Sequence, residues 1–186
     1  MDLWSLPEAA VIGGVAYPIR ADFREVLQVI GVLNDPQWAV AVRWLVAVEL
    51  FYREEIPAEH LEEAIGWLSR FLTAGQEESG QNIRLLDWEQ DGALIVADVN
   101  KVAGTEVRSL SFLHWWSFLA YFMGIGEGQL STVVSIREKL ATGKKLEGWE
   151  QEYYRKHRYR VMLKKRYTPQ ELRERQRLEE LLGGRI

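Results

Sequence analysis

The chain of 186 residues contains no cysteine. That absence removes disulfides, thiolate nucleophiles and the cysteine-based zinc ligand sets together. Histidine is nearly as scarce. His60, His114 and His157 stand far apart, without His-x-x-x-His or His-Glu-x-x-His spacing, so a transition-metal site has nothing to rest on. No complete phosphate loop is present. Gly124-x-Gly126-x-Gly128 follows a helical pattern instead of a strand, and Thr142-Gly-Lys-Lys145 lacks its upstream glycine. Both read as helix stops. Asp87, Glu89 and Asp91 alternate like part of a calcium loop but lack the closing Glu. With no nucleophile–base pair and no metal set, the chain is expected to be a non-enzyme that carries no cofactor. Met1-Asp2-Leu3-Trp4 lacks a basic, apolar leader, so no signal peptide is expected.

Long uncharged runs are also few. Ser109 to Gly126 covers 18 residues without formal charge, which reaches the lower limit of a membrane span. Its three Ser, one His and two Gly, with the aromatics in the middle, argue for a buried helix and against a span. What the chain does have is apolar bulk: 47% hydrophobic residues, with 8 Trp, 7 Tyr and 6 Phe. This suffices for one core, and disorder over the whole chain is not expected. Charge is divided unevenly. Residues 1–100 carry net −11 and residues 101–186 net +7, giving the −4 of the whole. The halves can attract each other or face different partners.

Punctuation along the chain predicts a mainly α fold: a multi-helix bundle with a small N-terminal β-hairpin and a charged C-terminal helix. Val11 to Ile19 reads as two short strands around Gly13-Gly14, with Pro18 on an edge. Asp22-Phe-Arg-Glu25 has capping-box spacing and opens an amphipathic helix ending at Asn34-Asp35-Pro36. A helix over Pro36 to Tyr52 is nearly all apolar and is expected to be central. Another runs from Ile56-Pro57 to Leu72 and stops at Gly75. Residues 75–82 are expected to be a mobile loop. Asp87-Trp-Glu-Gln90 is a second capping pattern, leading a helix that ends at Gly104. Phe112 to Phe122 holds six aromatics in eleven residues, and is expected to wind as one buried helix with Phe112, Trp115, Leu119 and Phe122 on one face. His114 within it is expected to be a hydrogen-bonded core or rim residue. Helices over 129–142 and 145–165 follow. Thr168-Pro-Gln-Glu171 then starts a last, charged helix. The expected division is a helical domain over 1–165 and an extension over 166–186.

Two groups of side chains are candidates for recognition. Trp115, Trp116, Tyr121 and Trp149 are candidate core or partner-binding aromatics, and Trp4, Trp38, Trp67 and Trp88 could add to an apolar groove. Arg155, Lys156, Arg158, Arg160, Lys164, Lys165 and Arg166, interleaved with Tyr, form a candidate basic contact. Amphipathic packing is the first reading of residues 151–166, an acidic protein partner the second and nucleic acid the third.

Three segments together resemble a known family: Tyr17-Pro-Ile-Arg-Ala-Asp-Phe-Arg24 after a glycine hairpin, Leu113-His-Trp-Trp-Ser-Phe118, and Ser131-Thr-Val-Val-Ser-Ile-Arg137 followed by Gly143-Lys-Lys-Leu146 and Trp149-Glu-Gln-Glu-Tyr-Tyr154. The order is similar to that of the bacteriophage gene-product-fifteen family, encoded beside the tail tape-measure gene of tailed phages and prophages. The resemblance covers roughly residues 5–160. It implies a tail-assembly chaperone in the cytoplasm of the bacterial host, with the tape-measure protein and tail-tube subunits as partners and no active site. Its rivals are a structural tail protein retained in the virion and a nucleic-acid-binding factor using residues 151–166.

Overall fold

A computed structural model describes residues 4–76 and 83–181. Strands β1 (Ala9–Ile12) and β2 (Val15–Pro18) pair antiparallel, Ala9 opposite Pro18 and Ile12 opposite Val15. The two-residue turn between them needs positive φ at both positions, which Gly13 (+55°) and Gly14 (+79°) supply. A side chain at Gly13 would also strike the His60 ring, 2.4 Å from an added Cβ. The strands begin two residues earlier than their apolar run suggests, because Ala9 and Ala10 join the ladder.

Nine helices follow among the described residues: α1 (Phe23–Leu33), α2 (Val40–Phe51), α3 (Leu61–Leu72), α4 (Gly92–Ala103), α5 (Trp115–Met123), α6 (Gln129–Ala141), α7 (Gly148–Lys156), α8 (Arg158–Val161) and α9 (Pro169–Leu181). The fold is mainly α, with the hairpin as its β element. α1 packs on α2 and α5, α5 on α4, α4 on α6 and α6 on α8, while α3 closes the hairpin side against β1 and α2. Phe23 stacks on Phe118 with ring centroids 4.6 Å apart, joining α1 to α5 at the centre. Phe51, Phe71 and Trp115 are almost fully buried around them.

Two helix starts are tied to each other. The Asp22 carboxylate caps α1 by accepting from the Arg24 amide, and its second oxygen accepts from the Leu113 amide, both at 3.0 Å. The chains then exchange backbone bonds, Phe23 N–H to the Leu113 carbonyl and Trp115 N–H to the Ala21 carbonyl. His114 caps α5 in turn, its Nδ1 accepting from the Trp116 amide at 3.1 Å. This corrects the expected aromatic helix. It starts at Trp115, so Phe112 lies before it, exposed, and is no part of its buried face.

Three further expectations are corrected. α2 is not central, and it starts at Val40 because residues 36–39 form a turn: Ala47, Val48 and Phe51 are buried, but Val40, Val42 and Leu45 are exposed, as is Trp38 in that turn. The helix before Gly104 starts at Gly92, because Asp87 caps the preceding turn through the Glu89 and Gln90 amides, at 3.0 and 2.8 Å. The single helix expected over 145–165 is two, broken at His157 and followed by an extended strap through 162–168. Arg137 bears on the end of α8: it draws the carbonyls of Arg160 and Val161 to its guanidinium, each at 2.7 Å, so they are committed away from a continuing helix. The expected mobile loop 75–82 lies, beyond Gln76, outside the described residues. Leu182 also lies outside them.

Candidate interaction surfaces

The motif residues that carry the family resemblance sit mostly inside the molecule. Trp115 and Trp116 are 1% and 7% exposed, and their indole N–H groups donate to the Leu72 and Phe71 carbonyls at 3.0 and 2.9 Å. Both therefore satisfy the last turn of α3 and belong to the core. Tyr121 is half-buried and packs against that core. Arg20 donates to the Glu49, Leu50 and Tyr52 carbonyls, holding the C-terminal end of α2 with a cation where the helix dipole favours one. Burial pushes the Tyr52 hydroxyl pKa up, and this group donates to the Ala64 carbonyl at 2.9 Å. His114 is also buried, and desolvation holds its pKa below the usual imidazole range despite the Pro7 carbonyl and Glu8 nearby. Since Nδ1 accepts, Nε2 carries the proton and donates to the Pro7 carbonyl at 3.1 Å.

Three surfaces remain open. The first is α2. At 3.6 residues per turn, Ala41, Val42, Leu45 and Glu49 lie on one side, opposite the inward Ala47 and Phe51, and Trp38 stands in the turn before the helix starts. Val42 is 43% and Leu45 49% exposed, so a short apolar stripe faces solvent with Glu49 at its end and the exposed Trp38 in the turn before it. Composition showed an apolar helix without showing which side the body covers, and it therefore missed this stripe.

The second surface is the α7–α8 end. Trp149 is 56% and Tyr159 70% exposed, and Met162 is exposed beside them. Arg155, Lys156, Arg158, Lys164 and Lys165 are exposed around them, while Arg160 is half-buried with its guanidinium over the Tyr159 ring. Lys156 pairs with Glu152 at 2.7 Å. The third is acidic, where Glu54, Glu55, Glu59, Glu62 and Glu63 are exposed at and before α3.

Arg166 does not join the open basic group. It donates to Asp87 at 2.8 Å and to the Asn34 carbonyl at 3.2 Å, fastening the strap to the body. Arg84 also pairs with Asp87. Burial opposes ionisation of Asp87, but the Gln90 amide, Arg166 and Arg84 outweigh it and lower the pKa. Gln90 clasps the same strap from both sides, through the Met162 carbonyl and the Lys164 amide at 2.8 and 2.9 Å. Between strap and α1 lies an open groove of about 950 Å³, with Leu27, Ile30, Trp88 and Tyr167 in its walls. Asp87, which lines it, is paired with the two arginines.

Of the remaining tryptophans, Trp67 and Trp88 pack on the core, while Trp4 and Trp38 are exposed. Among the described residues, no three His, Asp or Glu side chains converge as a metal-binding group. Among the described residues, no helix is long and apolar enough to cross a membrane.

Residues 4–163 match the family model described as Bacteriophage Gp15 protein. The match ends inside the strap and leaves α9 beyond it. No curated protein and no solved structure matches the chain.

Proposed function

The chain belongs to the bacteriophage Gp15 protein family, and from that membership we propose that it is a tail-assembly chaperone, which binds the tape-measure protein and tail-tube subunits in the bacterial cytoplasm and makes or breaks no bond. One observation carries the reading: the exposed apolar stripe of α2, through Val42 and Leu45, with Trp38 exposed in the turn before it. A helix of 12 residues is about 18 Å long and offers about three turns of docking length. Such a stripe suits an amphipathic partner helix whose anchors recur at three- and four-residue spacing. A long helical client exposes such anchors before the tail tube covers it.

The cationic and aromatic α7–α8 end supports a second contact, with an acidic protein surface. The same end supports nucleic acid as the alternative, since Tyr159 and the surrounding cations could stack bases and neutralise phosphates. Binding of that kind weakens steeply with salt and responds to replacing Arg155 and Arg158.

Co-expression with the neighbouring tape-measure protein tests the chaperone reading. The expected result is a larger soluble tape-measure fraction, lost with Leu45→Glu. An insoluble fraction unchanged by the wild-type chain contradicts the reading. Mass spectrometry of purified virions separates a chaperone, which leaves, from a structural tail protein, which stays.

A further inference from the structure

We propose that the outer edge of β1 is a strand-addition site, which takes an extended apolar segment of a partner protein with basic residues at both of its ends. The proposal lies beyond the chaperone reading, which rests on α2, and each can fail without the other.

The ladder fixes which backbone groups are open. Ile12 opposite Val15 closes the two-residue turn, and bonding alternates from there. Ile12 and Ala10 therefore bond to β2, while Ala9 and Val11 turn their N–H and C=O groups to the outer edge. The same alternation shows on β2, where the outward Pro18 carbonyl accepts from the Arg53 amide at 2.9 Å and Ile19 bridges to Tyr52. The chain itself thus covers that end of the β2 edge. On β1 nothing does so: among the described residues, no group bonds to the outward side of Ala9 or Val11. Two donors and two acceptors stand there, spaced for one neighbouring strand.

Such edges are usually blunted by a charge, a proline or a bulge. β1 reads Ala-Ala-Val-Ile and has none of these, and Val11 is 61% exposed. Its recognition element is therefore a peptide backbone with small or β-branched side chains.

Charge sets the ends of that segment. Glu63 on α3 accepts from the Gly13 amide at 2.9 Å, which places a half-exposed carboxylate at one end of the edge. Glu59 and Glu62 are exposed near it in sequence, and Glu8 is exposed at the other end. From Glu8 to Gly13 an extended chain covers about 17 Å. Cations separated by about five strand residues match that span. A second copy would bring its own Glu8 and Glu63 to the same edge, like against like, so a basic-ended partner is favoured over self-pairing.

Fluorescence anisotropy of a labelled synthetic peptide, titrated with the full chain, tests the site. The peptide alternates Val and Thr over five positions and carries two Lys at each end. The expected Kd is about 20 to about 500 µM. Methylating the edge-facing amides of the peptide removes its donors and should raise Kd at least about tenfold. Glu in place of the four Lys should do the same at low salt. Val11→Pro deletes an outward N–H without touching a ladder bond, and should also weaken binding at least about tenfold. Glu63→Gln keeps an acceptor for Gly13 but removes the charge, and should raise Kd by about three- to fivefold. Unchanged thermal unfolding is the folding control for both variants, and the methylated peptide reads the wild-type chain. No binding up to about 1 mM, indifference to methylation, or equal affinity for the Lys- and Glu-ended peptides overturns the proposal. Self-association of the chain that Val11→Pro abolishes would put a second copy on the edge and overturn it equally.

Discussion

Arg137 grips Asp91 through both carboxylate oxygens, at 2.6 and 2.8 Å, and the two side chains are 5% and 2% exposed. The same guanidinium reaches the carbonyls of Leu85, Arg160 and Val161. One cation on α6 thereby joins the start of α4, the segment before it and the end of α8. Breaking a buried pair leaves an uncompensated charge and costs about 3–5 kcal/mol. Arg137→Met is expected to destabilise by that order, and Arg137→Lys by nearly as much, since an ammonium cannot reproduce the fork. Urea unfolding of each variant measures it, and a loss below about 1 kcal/mol for Arg137→Met would show that the pair is not the keystone described.

Asp22 serves two helix starts at once. Removing its carboxylate takes the cap from α1 and leaves the buried Leu113 amide without its acceptor. Asp22→Ala should cost about 2–4 kcal/mol, the sum of a lost cap and an unsatisfied donor. Asp22→Asn keeps an acceptor at the same place and should cost clearly less. Equal losses from the two variants in denaturant melts would contradict the capping role.

The pH dependence of stability should show His114. Its folded pKa lies below the unfolded value, so as pH falls through the unfolded pKa near 6.5 the unfolded chain takes up a proton that the native chain refuses. The stabilisation is therefore complete above that pH and declines as the pH drops toward the folded pKa. Protonation of Nδ1 also removes the α5 cap. His114→Asn keeps a capping acceptor without titrating, and its unfolding midpoint should be flatter between pH 7.5 and pH 5, to the extent that His114 supplies the slope. An identical slope in both proteins would remove His114 from the account.

The C-terminal helix should be dispensable for folding. No residue of α9 is buried, and its start is held locally, where Thr168 and Glu171 exchange capping bonds at 2.7 and 3.3 Å. Ending the chain after Thr168 should leave the unfolding midpoint within about 0.5 kcal/mol of the full chain. Arg166→Ala should do more damage, because it frees one side of Asp87 and unfastens the strap. A large loss from the truncation would mean that α9 packs on the body.

The features legible in the sequence are those fixed within a few residues. Gly13-Gly14, the Asp22 cap, the Gly104 stop at φ +68° and the Thr168-Glu171 box all act locally, and each occurs where its residue types predict. The features that were not legible depend on distant partners. Phe112 and Leu113 share the apolar character of α5, yet they fall outside it because the α1 start claims the backbone around Leu113, 91 residues away. The run 145–165 has no local stop at Val161, and the end of α8 there answers to Arg137 on another helix. α2 was misread for a different reason: an apolar helix looks the same whether the body or a partner covers its outer side. The aromatic motif was therefore the visible signal and proved to be core, while the less conspicuous Trp38 and Leu45 form the open surface.

Photo-crosslinking at the α2 stripe tests the central claim most directly. A photoreactive amino acid replaces Leu45 in one sample and Glu62, exposed on α3, in another, each co-expressed with the tape-measure protein. The account predicts an adduct containing the tape-measure protein from position 45 and none from position 62. No such adduct from position 45, or equal adducts from both, would contradict it.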